Sequence, residues 1–322
     1  MAIQPVDNIV AGRHNPSGDA KSSKIEIRPV AGAIGAEIFG VDLSKPVGDS
    51  MFADIYKAFL DYLVVFFPQQ PVLTPDMHMA FASRFGDVDM EPFVYPFKTP
   101  TVAGYPQILL NVKESGDRSI NVGGFWHADV TYRERPHKAA IMYTKETPAV
   151  GGDTLFSNQY LAFETLSVSM RQMLGGLKAV HSSEMPYGGE AARFASVALN
   201  QAPRPEDRAF SASLYDRSEQ SKILTTEHPV VRTHPETFRP CLYVNRGFTD
   251  RFVGMTREES YPLLEYLWNH ATRTEFTCRY KWSNNDVVVW DNRSALHYAL
   301  NDYYGHRREM HRISVHEPSR PI

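Results

Sequence analysis

A mainly β fold with flanking helices, closed into a barrel or double sheet rather than a doubly wound α/β layer, is the architecture this sequence predicts. The first observation is a run of short β-rich segments separated by turns, at 108–112, 139–143, 154–156, 242–245, 276–281, 287–290 and 313–316. Regularly interrupted short strands favour such a fold. The second is size: 322 residues with 43% hydrophobic and 22% charged content can bury about three quarters of the unfolded surface, so a large core forms without disulfide or metal staples. The third is the absence of any internal repeat or low-complexity tract.

Taken in order, residues 24–30 alternate as Lys-Ile-Glu-Ile-Arg-Pro-Val, the period of a half-buried strand, and the Gly-rich stretch 31–40 predicts turns before another short strand. Asp49 or Ser50 can cap a helix reaching about Tyr62, with Met51, Ile55, Phe59 and Leu60 near one face. Residues 63–67, Leu-Val-Val-Phe-Phe, read as a buried strand stopped by Pro68. Thr74 followed by Pro75 is a cap with proline at the first helical position, opening a helix to about Phe85 and Gly86. Two insertions interrupt the later strands. Residues 184–225 are polar with weak periodicity, which suits a lid or a disordered loop. Thr256-Arg257-Glu258-Glu259 is a capping box that starts a helix to about His270.

Residues 1–23 carry Pro5, Gly12, Pro16 and Gly18 among charged residues, so they predict a flexible extension and neither a signal peptide nor a membrane span. A net charge of -3 provides no electrostatic footprint for nucleic acid. Cys241 and Cys278 stand far apart, outside metal-binding spacing, which fits a reducing cytoplasm.

Chemistry concentrates around Trp126-His127-Ala128-Asp129. On an extended strand, residues two apart project to one face, so His127 and Asp129 can chelate one ion. With 12 histidines, a chance His-x-Asp occurs about once in such a chain, and a surface strand whose His and Asp merely pair is the competing reading. A later segment adds a partner. Val287-Val288-Val289-Trp290-Asp291-Asn292 is an apolar strand running into a turn, after which His297 can return from the opposite sheet to complete a 2-His-1-carboxylate face with open positions. Arg308 and Arg312 follow. They suit either a solvated basic face with His306, Arg307 and His311 or guanidinium forks for carboxylates.

Together with Gly151-Gly152-Asp153-Thr154, these motifs resemble the Fe(II)/2-oxoglutarate dioxygenases of the TauD/TfdA family, the taurine and 2,4-dichlorophenoxyacetate type, over residues 24–322. The resemblance implies a double-stranded β-helix (jelly roll) core, in a single domain over 24–322 with a lid insertion at about 184–225. It implies iron ligation by His127, Asp129 and His297, and cosubstrate binding by Arg308 and Thr154. O2 is the co-reactant, and a small organic anion is hydroxylated as 2-oxoglutarate becomes succinate and CO2. Arg312 matches the position that receives a sulfonate, sulfate or carboxylate, and Phe248 an aromatic wall of that pocket, although core packing is the commoner role for such a Phe. Tyr95 aligns with a pocket tyrosine after a one-residue gap. Glu91 stands where taurine-acting members have a histidine, and Gly123 where they have an asparagine, which argues against taurine itself. A pocket-facing Glu91 would favour a zwitterionic substrate; a solvent-facing one would have no such effect. Family members are often dimers or tetramers. Identical ligands also serve desaturation, and a jelly-roll binding protein that retains the metal site without catalysis is the non-enzymatic alternative.

Overall fold

The computed structural model describes residues 25–90, 100–117, 121, 123–184 and 223–322. Strands β1 (Glu26–Pro29) and β2 (Ala36–Phe39) lead into helix α1 (Asp49–Tyr62), β3 (Val64–Phe67) and α2 (Pro75–Ala82). Next come β4 (Thr101–Val102), β5 (Tyr105–Lys113), β6 (His137–Glu146) and β7 (Thr154–Asn158), then α3 (Gln159–Glu164), α4 (Val168–Leu174) and β8 (Lys178–Ser182). β9 (Thr225–Pro229), β10 (Val231–Thr233), β11 (Pro240–Leu242) and β12 (Thr249–Phe252) precede α5 (Arg257–Ala271). The chain continues through β13 (Thr277–Tyr280), β14 (Val287–Asp291), β15 (Ala295–Ala299) and β16 (Arg308–His316).

An eight-stranded sheet has the order β1-β2-β3-β14-β6-β16-β5-β4, and a three-stranded sheet the order β13-β7-β15. Smaller sheets are formed by β12-β8-β9 and β10-β11. Successive strand residues face opposite ways, so β3 and β14 divide their side chains between two cores. Val65, Phe67, Val287 and Val289 pack with Ile55 and Phe59 of α1 and Phe81 of α2. Val64, Phe66, Val288 and Trp290 pack with Phe156 and Tyr280 of the small sheet, where the Phe66 and Tyr280 rings stack with centroids 4.0 Å apart. Burial on both faces accounts for the unbroken apolar runs in these strands. On β16 the same alternation sends Ile313 and Val315 to the helix side and Met310 to the space between sheets. Arg308 and Arg312, two residues either side of Met310, share its face.

Several boundaries differ from the sequence expectations for identifiable reasons. The cap of α1 is the extended Gly48, which has no side chain to cap with, while the Asp49 carboxylate accepts from Arg84 at 2.8 Å. Leu63 belongs to the turn rather than to the strand: its φ is 65° and its N–H donates to Phe59 O. A single left-handed residue therefore joins α1 to β3. β1 is exposed along its length because it is the edge of the large sheet, where alternation alone suggested a half-buried strand. Strand β11 ends at Leu242, since Asn245 turns the chain by accepting from the Phe248 N–H at 2.8 Å. The caps at Thr74 and Thr256 form as expected, the second reciprocally with Glu259. The extension over 1–23, residues 185–222 of the expected lid, and both Glu91 and Tyr95 lie outside the described residues. Among the described residues no helix is long and apolar enough to cross a membrane, and Cys241 and Cys278 are free and buried.

Candidate metal centre and its surroundings

His297 sits in the middle of β15 and forms an isolated antiparallel bridge with His127. Each backbone N–H donates to the other's carbonyl, at 3.0 Å and 2.8 Å. Directly opposed residues of an antiparallel pair project to the same side, and the two imidazole centroids lie 4.1 Å apart. The extended geometry stops there. Residues 129–132 form a turn in which Val130 takes a φ of 46°, and the Asp129 N–H donates to Asn292 Oδ1 at 3.3 Å rather than to a ladder. The strand-chelate expectation is therefore corrected: Asp129 reaches the histidines from a turn. Its Oδ1 is 3.6 Å from Nε2 of both His127 and His297. All three residues are buried, and one ligand atom from each lies within 4.8 Å of the others, a grouping able to hold a metal ion.

Protonation suits a divalent cation. Burial is the largest influence on Asp129 and opposes its ionisation, but the Arg312 guanidinium and the neighbouring imidazoles outweigh it and hold the carboxyl well below its usual range. Arg312 pairs with Asp129 Oδ2 at 2.6 Å, so Oδ1 is the oxygen turned to the histidines. Burial pushes both imidazoles down, keeping them neutral. His127 Nδ1 lies 2.8 Å from Phe125 O, a contact that only a protonated Nδ1 can make, which leaves the Nε2 lone pair for a metal. Two neutral imidazoles and one carboxylate form the donor set of a facial iron site.

The Trp290–Arg293 segment braces these groups, a function its sequence did not disclose. Trp290 packs its ring 4.8 Å from that of His297 and donates to Asn292 Oδ1 at 3.1 Å; Asn292 in turn receives the Asp129 N–H. Asp291 accepts from Arg293 at 2.7 Å and lies 3.0 Å from His234 Nε2, while Arg293 also contacts Glu236 and Glu317. The turn between β14 and β15 is thus anchored by buried ion pairs.

A second cluster lies at the start of β7 and β16. Arg308 is buried, and burial lowers its affinity for the proton, opposed by Tyr303 and Asp153. Its guanidinium carbon stands 5.9 Å from the Trp282 ring centre and 5.8 Å from that of Tyr303. Its Nε has no hydrogen-bond partner, and among the described residues it makes no carboxylate ion pair. An unneutralised buried guanidinium is costly, and a ligand carboxylate would relieve it. The glycines before Thr154 meet two demands: Gly151 and Gly152 have φ of 83° and 73°, and a Cβ on Gly152 would stand 3.3 Å from Arg308 Cδ. Thr154 is buried and accepts from Trp282 Nε1 at 3.0 Å. Tyr303 donates to Asn121 Oδ1 at 2.8 Å. Trp282, Tyr303 and Asn121 were not singled out from sequence; for Trp282 the available signal was a tryptophan beside a predicted strand.

Phe248 is buried against Val130 and Tyr132, with its ring centroid 6.0 Å from that of His127. It therefore borders the ligand cluster while serving as core. Gly123 faces the same imidazole: a Cβ there would lie 2.9 Å from His127 Cε1.

The family model for "Taurine catabolism dioxygenase TauD, TfdA family" matches residues 26–314. The chain is 34% identical to an alkylsulfatase of Acinetobacter baylyi, covering 91% of this chain and 86% of that protein. It is 33% identical to an alpha-ketoglutarate-dependent sulfate ester dioxygenase of Pseudomonas putida, covering 91% and 89%. A crystal structure of a taurine dioxygenase from Burkholderia xenovorans superposes with a TM-score of 0.73 at 34% identity, covering 93% of each chain.

Proposed function

The chain belongs to the TauD, TfdA family, and on that premise we propose that it oxidises a small organic sulfate ester or sulfonate. In this reading His127, Asp129 and His297 hold the iron, Arg308 and Thr154 receive the distal carboxylate of 2-oxoglutarate, and Arg312 receives the anionic group of the substrate. The protein is an Fe(II)- and 2-oxoglutarate-dependent dioxygenase. The observation that carries the residue assignment is the buried Arg308, without a carboxylate ion pair among the described residues, on the same strand face as the arginine paired to Asp129. The sulfate ester class is supported by the two bacterial relatives named above.

When bound, Fe(II) with 2-oxoglutarate and O2 supplies the oxidation: the cosubstrate is decarboxylated to succinate and CO2 and a substrate carbon is hydroxylated, which for a carbon bearing sulfate releases an aldehyde and sulfate. The protein's own groups orient and exclude. Arg308 provides a planar fork matched to a carboxylate. Arg312 keeps Asp129 ionised, and a guanidinium is the side chain best matched to an anionic group. Phe248 walls the site beside His127 and limits water. We assign the two packed sheets to a double-stranded β-helix core and residues 24–322 to one cytoplasmic domain.

The test combines three measurements. His127→Ala is expected to lose iron binding and turnover, and full activity in that variant would sink the assignment. Arg308→Ala should raise the 2-oxoglutarate requirement strongly; an unchanged saturation curve removes Arg308 from its role. Succinate release across alkyl sulfates, sulfonates, aryloxy acids and zwitterionic amino compounds should be greatest with sulfate esters or sulfonates, and no coupling to either class would overturn the substrate reading.

A further inference from the structure

A threonine beside a carboxylate helps only by donating its hydroxyl proton; a lone pair turned that way repels. Thr154 Oγ1 accepts from the indole Nε1 of Trp282 at 3.0 Å. An indole nitrogen can only donate, so the contact occupies a lone pair and leaves the hydroxyl proton available. Among the described residues no acceptor takes that proton. The same indole lies beside the Arg308 guanidinium, 5.9 Å from its carbon, and is itself buried at 4% exposure. One side chain therefore touches both groups assigned to the cosubstrate, yet brings no charge that would compete for Arg308.

We propose that Trp282 is a positioning residue for the cosubstrate: its N–H fixes the polarity of the Thr154 hydroxyl so that Thr154 donates to the distal carboxylate, and its ring flanks the Arg308 guanidinium. This rests on the cosubstrate reading above. The competing role is packing alone, since the Trp282 ring also meets Tyr280 edge-on with centroids 5.3 Å apart.

The experiment is calorimetric titration of 2-oxoglutarate into protein loaded with Zn(II), which binds without turnover, together with pyruvate, a 2-oxo acid lacking the distal carboxylate. Trp282→Phe keeps an aromatic ring and removes the donor. It is expected to weaken 2-oxoglutarate about three- to tenfold, the range for one net hydrogen bond, while leaving pyruvate unchanged. In a Thr154→Val background the same change should add less than about twofold, because the two residues act through one contact. Equal weakening in both backgrounds, parallel weakening for pyruvate, or no weakening would overturn the inference. If Trp282→Phe does not fold, Thr154→Ser and Thr154→Val decide: the serine should bind like the parent and the valine more weakly, and equal binding by the two overturns the proposal. Arg308→Ala separates the levels. Undiminished 2-oxoglutarate binding in that variant would overturn the cosubstrate reading and this inference with it, whereas failure of Trp282→Phe alone would overturn only the inference.

Discussion

A methyl group on residue 152 would stand 3.2 Å from the Tyr303 ring and 3.3 Å from Arg308 Cδ, on a backbone with φ of 73°. Gly152→Ala should therefore cost about 1–2 kcal/mol through the left-handed conformation and also push Arg308 from its seat, raising the 2-oxoglutarate requirement several-fold. Gly104→Ala is the matched control: its φ is 80°, with nothing within 4 Å of an added Cβ. It should lose similar stability and titrate 2-oxoglutarate like the parent. Identical titrations for the two variants would show that the contact with Arg308 has no role. At this scale the sequence was informative about chemistry and silent about placement. His127, Asp129 and His297 were legible as candidate ligands because few residue types ligate a metal ion. The turn that delivers Asp129 was not, because it depends on Asn292, distant in sequence, accepting its N–H.

Helix α2 carries a buried histidine on the face packed towards the large sheet, where His78 meets the Tyr143 ring with centroids 5.8 Å apart. Burial, with a smaller contribution from nearby His311, pushes its pKa down to about 3, whereas an unfolded histidine titrates near 6.5. Between those values the unfolded chain binds more protons than the folded one, so stability falls as pH drops, by at most about 1.4 kcal/mol per pH unit for one such group. Above that window the group contributes no pH dependence. His78→Phe should flatten the stability–pH slope from about pH 6 to 4 in denaturant titrations, and an unchanged slope would remove His78 as a source of acid sensitivity. The flattening is partial, because His228, pushed down to about 4 by burial, acts with the same sign. Among elements, the caps at Thr74 and Thr256 were legible because a cap is made by residues three apart. Leu63 was not: its left-handed conformation is held by the abrupt passage from α1 into a buried strand, with no local signature in a leucine.

Across the whole molecule, the candidate metal ligands come from the small sheet and the segment bridged to it, while Arg308 and Arg312 come from the large sheet. Occupancy should therefore tie the two sheets together. Zn(II) with 2-oxoglutarate at about a hundred times its dissociation constant should add about 2.7 kcal/mol to stability, read as a rise of several degrees in Tm that a chelator reverses. An equal rise in His297→Ala would show that binding occurs elsewhere. The mainly β class was legible from short apolar segments between turns, because side-chain periodicity and turn chemistry are local properties. The sequence by itself determined the reaction class through its resemblance to the TauD, TfdA family, whose pattern His127, Asp129, His297, Thr154 and Arg308 match position by position. Only the tertiary structure decided that Asp129 comes from a turn, that Arg312 pairs with it, and that Trp282 holds Thr154 across 128 residues of chain. Such contacts arise when two sheets pack face to face, and neither partner carries a local pattern that names the other.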